Sequence, residues 1–174
     1  MIMEQNLTLI VEFVKQSILR IEENTPKIEK CLAELSEEEI WKRPNASSNS
    51  IGNLVLHLCG NITQYIIATL GEKEDERDRD AEFDAREGYS KSALTNKLKA
   101  VVSQAVSVIK SADSEMLLRK RRVQIYEFTG IGIIIHVAEH YSYHTGQIVF
   151  WTKLLKDKDL GFYANLDLNT KFKM

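Results

Sequence analysis

Apolar residues recur at steps of three and four along most of this chain, the period of a helix with one buried face. The first stripe is Leu7, Ile10, Val11, Val14, Ile18 and Ile21. Pro26 interrupts it and predicts a kink or short break, because proline removes a backbone donor and crowds the preceding turn. The stripe resumes at Ile28, Cys31, Leu32 and Leu35. Ser36 followed by Glu37, Glu38 and Glu39 predicts the cap and first turn of a short helix that ends near Pro44.

Residues 45 to 50, NASSNS, read as a turn. Ser50 or Asn49 is placed to cap a second long helix, with Ile51, Leu54, Val55, Leu58, Ile62, Tyr65 and Ile66 on its apolar side and Gly71 as its stop. Residues 72 to 86, EKEDERDRDAEFDAR, form a mixed-charge run that predicts a solvated loop. Ser90 caps a third helix carrying Leu94, Leu98, Val101, Ala105 and Val108. Residues 113 to 128 break the pattern. They hold a basic cluster, Arg119 to Arg122, followed by a strand-like alternation over residues 123 to 126. With no partner strand in view, this stretch predicts an extended connection. A last long helix runs from about Thr129 to about Lys156, and the tail after Gly161 is expected to be irregular. Four helices of roughly 20 residues predict an all-α, four-helix bundle with a kinked first helix, as one domain over residues 1–174.

Composition narrows the picture. The chain has 174 residues, 44% apolar and 28% charged, enough for a core without disulfides or a structural metal. Its net charge of -2 gives no global basic field for nucleic acid. Arg119 to Arg122 is one short basic run without aromatic interleaving, so nucleic-acid binding is not expected. The two cysteines, Cys31 and Cys59, make no CxxC pattern and predict a reducing, cytoplasmic setting. The N-terminal residues do not read as a signal peptide, and no apolar run approaches the ~20 residues of a membrane span.

The chemistry sits in four histidines: His57 on the second helix, and His136, His140 and His144 on the last. Four-residue spacing advances a helix by about 400 degrees, so each adjacent pair shares a face and can grip one ion. His136 and His144 lie about 12 Å apart along the axis, so the three cannot all hold one ion. A third ligand must come from elsewhere, and His57 is the only other histidine. Spacing alone leaves both pairs open. Asn61 lies one turn after His57, Asn53 one turn before, and Gln147 three residues after His144; these amides are candidates to orient water or substrate. Gly60 and Gly146 would let helices approach closely. Cys59, about 200 degrees around the helix from His57, is expected in the core. Residues 136 to 140, HVAEH, also fit the HxxEH pattern of inverted zinc peptidases, with Glu139 as general base.

The segments SIGNLVLHLCGN (residues 50 to 61) and HVAEHYSYHTGQ (residues 136 to 147) resemble the DinB/YfiT-like superfamily of metal-binding four-helix proteins. Arg79-Asp80-Ala81-Glu82-Phe83 is similar to one uncharacterised branch. The resemblance implies a ligand triad of His57, His140 and His144, with His136 as a packing residue or a neighbour of the ligands. It implies one nickel or zinc ion and a homodimer, for which Trp41, Phe150 or Trp151 could serve as interface. It further implies, for some members, transfer or isomerisation with low-molecular-weight thiols such as bacillithiol, mycothiol or glutathione. The expected function is a metal-dependent enzyme, a thiol transferase or hydrolase, with Asn61 and Gln147 as candidates to position reactants. The alternative is a non-catalytic metal-binding stress-response or interaction dimer.

Overall fold

The computed structural model describes residues 2–171. Helices α1 (Ile2–Glu22) and α2 (Thr25–Glu34) form one kinked rod. The break falls at residues 23 and 24, and Pro26 follows inside the first turn of α2, where its missing N–H costs nothing. The buried Thr25 hydroxyl shares a 2.9 Å hydrogen bond with Tyr141, which fastens the kink to the last helix. Helix α3 (Glu37–Trp41) starts on a Ser36–Glu39 capping box, as its sequence predicts.

Helix α4 (Ile51–Ile62) is the centre of the bundle. Every residue of it except Gly60 is buried, because α3, α5, α6 and α8 surround it. Ser50 caps it reciprocally with Asn53: the Ser50 hydroxyl accepts from the Asn53 N–H at 3.1 Å, and the Ser50 N–H donates to Asn53 Oδ1 at 3.2 Å. The rod continues without a break into a π-helical stretch, Thr63–Leu70, that ends at Gly71. Bonds spanning five residues mark it, from Gly71 N–H to Ile66 O and from Lys73 N–H to Ala68 O, both 2.9 Å. Helix α5 (Arg79–Asp84) lies against α4, and α6 (Lys91–Lys110) begins at its Ser90 cap.

After α7 (Ser114–Leu118) the chain forms an antiparallel hairpin, β1 (Lys120–Val123) with β2 (Tyr126–Thr129). The predicted extended connection is thus a strand that pairs with its own continuation. Gln124, at φ 53, makes the tight reversal between Val123 and Tyr126. Thr129 then caps α8 (Gly130–Lys156), whose bounds match those predicted. The bundle is all-α apart from this two-stranded hairpin.

The core joins Ile21, Ile28 and Leu32 of the kinked rod to Leu58, Ile62 and Ile66, to Leu94, Leu98 and Ile109 of α6, and to Ile133, Val137 and Ile148 of α8. Each such side chain contributes roughly 1.5–3 kcal/mol on burial. The apolar stripe of α1 is longer than the surface that covers it: Leu7 and Val11, predicted inward, are exposed, while Ile18 and Ile21 are buried. Among the described residues no helix is long and apolar enough to cross a membrane.

The Ser50 cap is fully buried, so Ser50→Ala leaves the Asn53 amide and N–H short of partners. The variant is expected to lose about 1–2 kcal/mol in urea unfolding with an unchanged m value. A midpoint equal to that of the parent would show that the cap does not hold the start of α4.

Candidate metal centre

His57 reaches the interior because α4 is buried all round. It meets α8 where His140 and His144 share one face. Tyr141, about 100 degrees around the helix from His140, is fully buried and bonded to Thr25. That bond fixes the rotation of α8 and turns the two histidines toward α4. His57 Nε2 and His140 Nε2 are 3.1 Å apart. One ring nitrogen from each of His57, His140 and His144 lies within 4.8 Å of the others. A group of that size could hold a metal ion. His136, one turn away, is outside it. Its ring stacks on Tyr65 at 4.3 Å, and its Nε2 lies 3.4 Å from Asn61 Nδ2. Glu139 is exposed. The HxxEH arrangement, with His136 as ligand and Glu139 as internal base, is therefore not assembled.

Two of the three histidines are held from behind. His57 Nδ1 lies 2.9 Å from Glu82 Oε2. An ionised carboxylate only accepts, so Nδ1 carries the proton and Nε2 presents its lone pair to the cluster. Glu82 is itself gripped by Arg77, Nε to Oε1 at 2.7 Å and Nη2 to Oε2 at 2.9 Å, with side-chain exposures of 9% and 2%. Burial pushes the Glu82 carboxyl up, but its bonds to Arg77 and His57 outweigh that and hold it below its usual range. Gln147 Oε1 accepts from His144 Nδ1 at 2.7 Å, which again frees Nε2. This arrangement of imidazole with an oxygen acceptor behind it fixes tautomer and ring orientation at metal sites.

The Arg77–Glu82 pair corrects the sequence reading of residues 72 to 86. The flanks of that run, Glu72 to Glu76 and Asp78 to Ala81, are exposed as predicted, but the pair inside it is buried. Gly60 makes the room. A Cβ there would overlap Glu82 Oε1 and sit 2.9 Å from Arg77 Nε, so the glycine seats a carboxylate rather than a neighbouring helix. Gly146, also predicted to allow close helix packing, is exposed with open space beside it. Asn53 serves α5 rather than the cluster, donating to the carbonyls of Glu82 at 2.9 Å and Ala85 at 2.8 Å. The π-helical stretch contributes Gln64, which accepts from Arg77 and from Gln124 at 2.9 Å each and donates to Asp75 at 2.7 Å. Arg77, Gln64 and the hairpin turn thus form one polar junction at the rim.

Burial keeps the three histidines of α8 neutral. Burial, with His144, His57, His136 and Arg77 nearby, pushes His140 down to about 3. Burial likewise lowers His144, against its bond to Gln147, and lowers His136. Neutral imidazole is the form a metal requires. Cys31 and Cys59 are free and buried as expected, and burial raises both thiols, Cys59 to about 12.

Fold and cluster together define a helical-bundle protein with a candidate three-histidine metal site. The chain belongs to the family described as a protein of unknown function (DUF1572), whose model matches residues 9–164. Among solved structures it is similar to a DinB-like protein of Bacillus subtilis, 18% identical, over 85% of this chain and 96% of that one, with a TM-score of 0.66. A conserved protein of Enterococcus faecalis is 18% identical over 83% of this chain and 97% of that one, with a TM-score of 0.70. A DinB-like protein of Bacillus cereus is 16% identical over 76% of this chain and 86% of that one, at 0.61. The fold is DinB-like. No curated protein matches the chain.

The three lowered histidines set the acid response of the metal-free protein. An unfolded chain takes up their protons as pH falls through about 6.5, while the folded one resists. The unfolded state then holds more protons, so stability falls on acidification, in a window from about 6.5 down to the His140 value of about 3. Urea midpoints of metal-free protein are expected to drop between about pH 7 and 5, with a shallower drop in His140→Ala. A flat profile in the parent would show that these rings are not buried neutral.

Proposed function

We propose that this chain binds one divalent metal ion, nickel or zinc, through His57, His140 and His144, and acts as a metal-dependent enzyme: a low-molecular-weight-thiol transferase or a hydrolase. The observation that carries the reading is the convergence of three histidine ring nitrogens within 4.8 Å. Imidazole suits both ions, and three protein ligands leave coordination positions open, the pattern of catalytic zinc. A divalent ion so held supplies chemistry by acidifying a bound water or thiol, which yields a nucleophile near neutral pH.

The chain's own residues do the rest. Glu82 orients His57 and is kept ionised by Arg77; Gln147 orients His144. The chain's two thiols are buried and held protonated, so they supply no thiolate. That favours an external thiol, of the bacillithiol, mycothiol or glutathione kind, where the nucleophile is sulfur. The same two free cysteines favour a reducing cytoplasm.

A second reading, a non-catalytic metal-binding homodimer, is favoured by the apolar side chains left exposed on α1 and α8: Leu7, Leu9 and Val11, with Phe150 and Leu154. Trp41 and Trp151 are less available, since each is half-buried and donates to a backbone carbonyl of its own chain, Tyr89 and Lys42.

Tag-free protein is expected to carry about one nickel or zinc per chain by plasma mass spectrometry, lost in His140→Ala, which leaves two of the three protein ligands usual at a catalytic zinc. Absence of metal, with no uptake on adding zinc or nickel, would sink the reading. Thiol-dependent turnover of electrophiles by loaded but not chelated protein then separates the enzyme from the non-catalytic dimer.

A further inference from the structure

His57 and His144 each have an oxygen behind the ring, but His140 has none. Its Nδ1 is buried with no hydrogen-bond partner among the described residues. Asn61 Oδ1 is buried and unpartnered in the same way, on a side chain that is only 4% exposed. In the metal-free protein, the 3.1 Å contact between His57 Nε2 and His140 Nε2 needs one proton between them. Glu82 has already placed the His57 proton on Nδ1, so His140 must donate from Nε2 and leave Nδ1 bare. In that tautomer His140 Nδ1 and Asn61 Oδ1 are both acceptors and have no bond to make with each other.

Binding an ion through His140 Nε2 requires the opposite tautomer. The proton then sits on Nδ1, which becomes a buried donor in need of an acceptor. Asn61 is one turn beyond His57 on α4, and it meets His136, one turn before His140 on α8. Its Nδ2 lies 3.4 Å from His136 Nε2, and the His136 and His140 rings are 5.5 Å apart. The stack of Tyr65 on His136 at 4.3 Å closes the other side and limits where the amide can turn.

We infer that Asn61 is the positioning residue of His140: its Oδ1 accepts the Nδ1–H of His140 in the metal-bound tautomer, directly or through one buried water. Asn61 would then not touch the reacting atoms, as the sequence suggests it could, but act through a ligand. Each of the three histidines would have its own acceptor, a carboxylate and two amides. This rests on the proposed metal site.

The test uses zinc affinity, by chelator competition, and ¹⁵N-edited NMR of the imidazoles in wild type, Asn61→Ala and Asn61→Asp. Loss of a partner behind a ligand costs about 10- to 100-fold in metal affinity. Asn61→Ala is expected to weaken zinc by that factor and to speed exchange of the His140 Nδ1 proton. Asn61→Asp keeps an acceptor oxygen and is expected to retain wild-type affinity or exceed it. Its carboxylate should also move the Nδ1–H resonance downfield. Should the alanine variant fail to fold, the aspartate variant decides alone through that resonance. Unchanged affinity in Asn61→Ala, or a His140 Nδ1 proton indifferent to Asn61→Asp, overturns the inference while leaving the three-histidine site intact. Failure of the wild type to take up zinc overturns both.

Discussion

Three imidazoles share a small volume between α4 and α8, and burial holds two of them, His140 and His144, uncharged. The remainder of this end of the bundle follows from that constraint. Protonating His140 or His144 would bring a charge into a buried cluster of like groups, which is why His140 is held as low as about 3. Neutral rings still carry N–H groups, and a buried N–H without an acceptor costs about 1–3 kcal/mol. Glu82 and Gln147 answer that demand from the far sides of His57 and His144. A buried carboxylate is itself expensive, and Arg77 is what makes Glu82 tolerable there. The segment from Gly71 to Ser90, mostly polar and exposed, is therefore tied to α4 by the Glu82–His57 bond, by Asn53 and by the Phe83 ring against His57. Gly60 is the matching feature on α4, since any side chain at that point would evict the carboxylate.

Much of the fold was legible because helices announce themselves locally. Ser36, Ser50 and Ser90 all cap as their sequence context predicts, and Thr129 opens α8 at the predicted place. Pro26 marks the kink. The misreadings have physical causes. The hairpin strands are four residues each, too short for a pattern, and the second is the direct continuation of the first. The π-helical stretch from Thr63 has no sequence signature: its residues look like a normal helix, and only the register of the backbone bonds differs. Leu7 and Val11 keep the helical period of α1 yet stay exposed, because periodicity reports which side is apolar and not whether anything covers it.

The candidate site divides the same way. The spacing of His136, His140 and His144 showed that α8 could offer a pair, and the resemblance selected His140 and His144. The structure groups those two with His57 and leaves His136 stacked on Tyr65. Arg77 stands in a run of alternating charges with no periodicity, where composition says solvent, and Glu82 enters only as part of the Arg79-to-Phe83 resemblance, with no role. What sets them apart is tertiary. Gly60 was a further signal, read as helix packing instead of as a seat for a carboxylate.

The charge balance bears on which chemistry such a site would favour. Glu82 is ionised, but Arg77 neutralises it through two bonds, so the pair adds direction to His57 without adding net negative charge. Gln147 and Asn61 are neutral, and so are the His140 and His144 rings. A divalent ion held by these groups would keep its charge uncompensated by protein, in surroundings of low dielectric. The cheapest relief is an anionic ligand in an open position, hydroxide or thiolate, drawn by the field in preference to a neutral one. With Glu139 on the outer face and both cysteines sealed in the core, no described residue bordering the three histidines other than Glu82 brings such an anion. Glu82 cannot turn toward the cluster without breaking its bonds to Arg77. The arrangement therefore selects for an anion that arrives from outside, which ties the proposed activity to a water or a small thiol and away from a covalent intermediate on the protein.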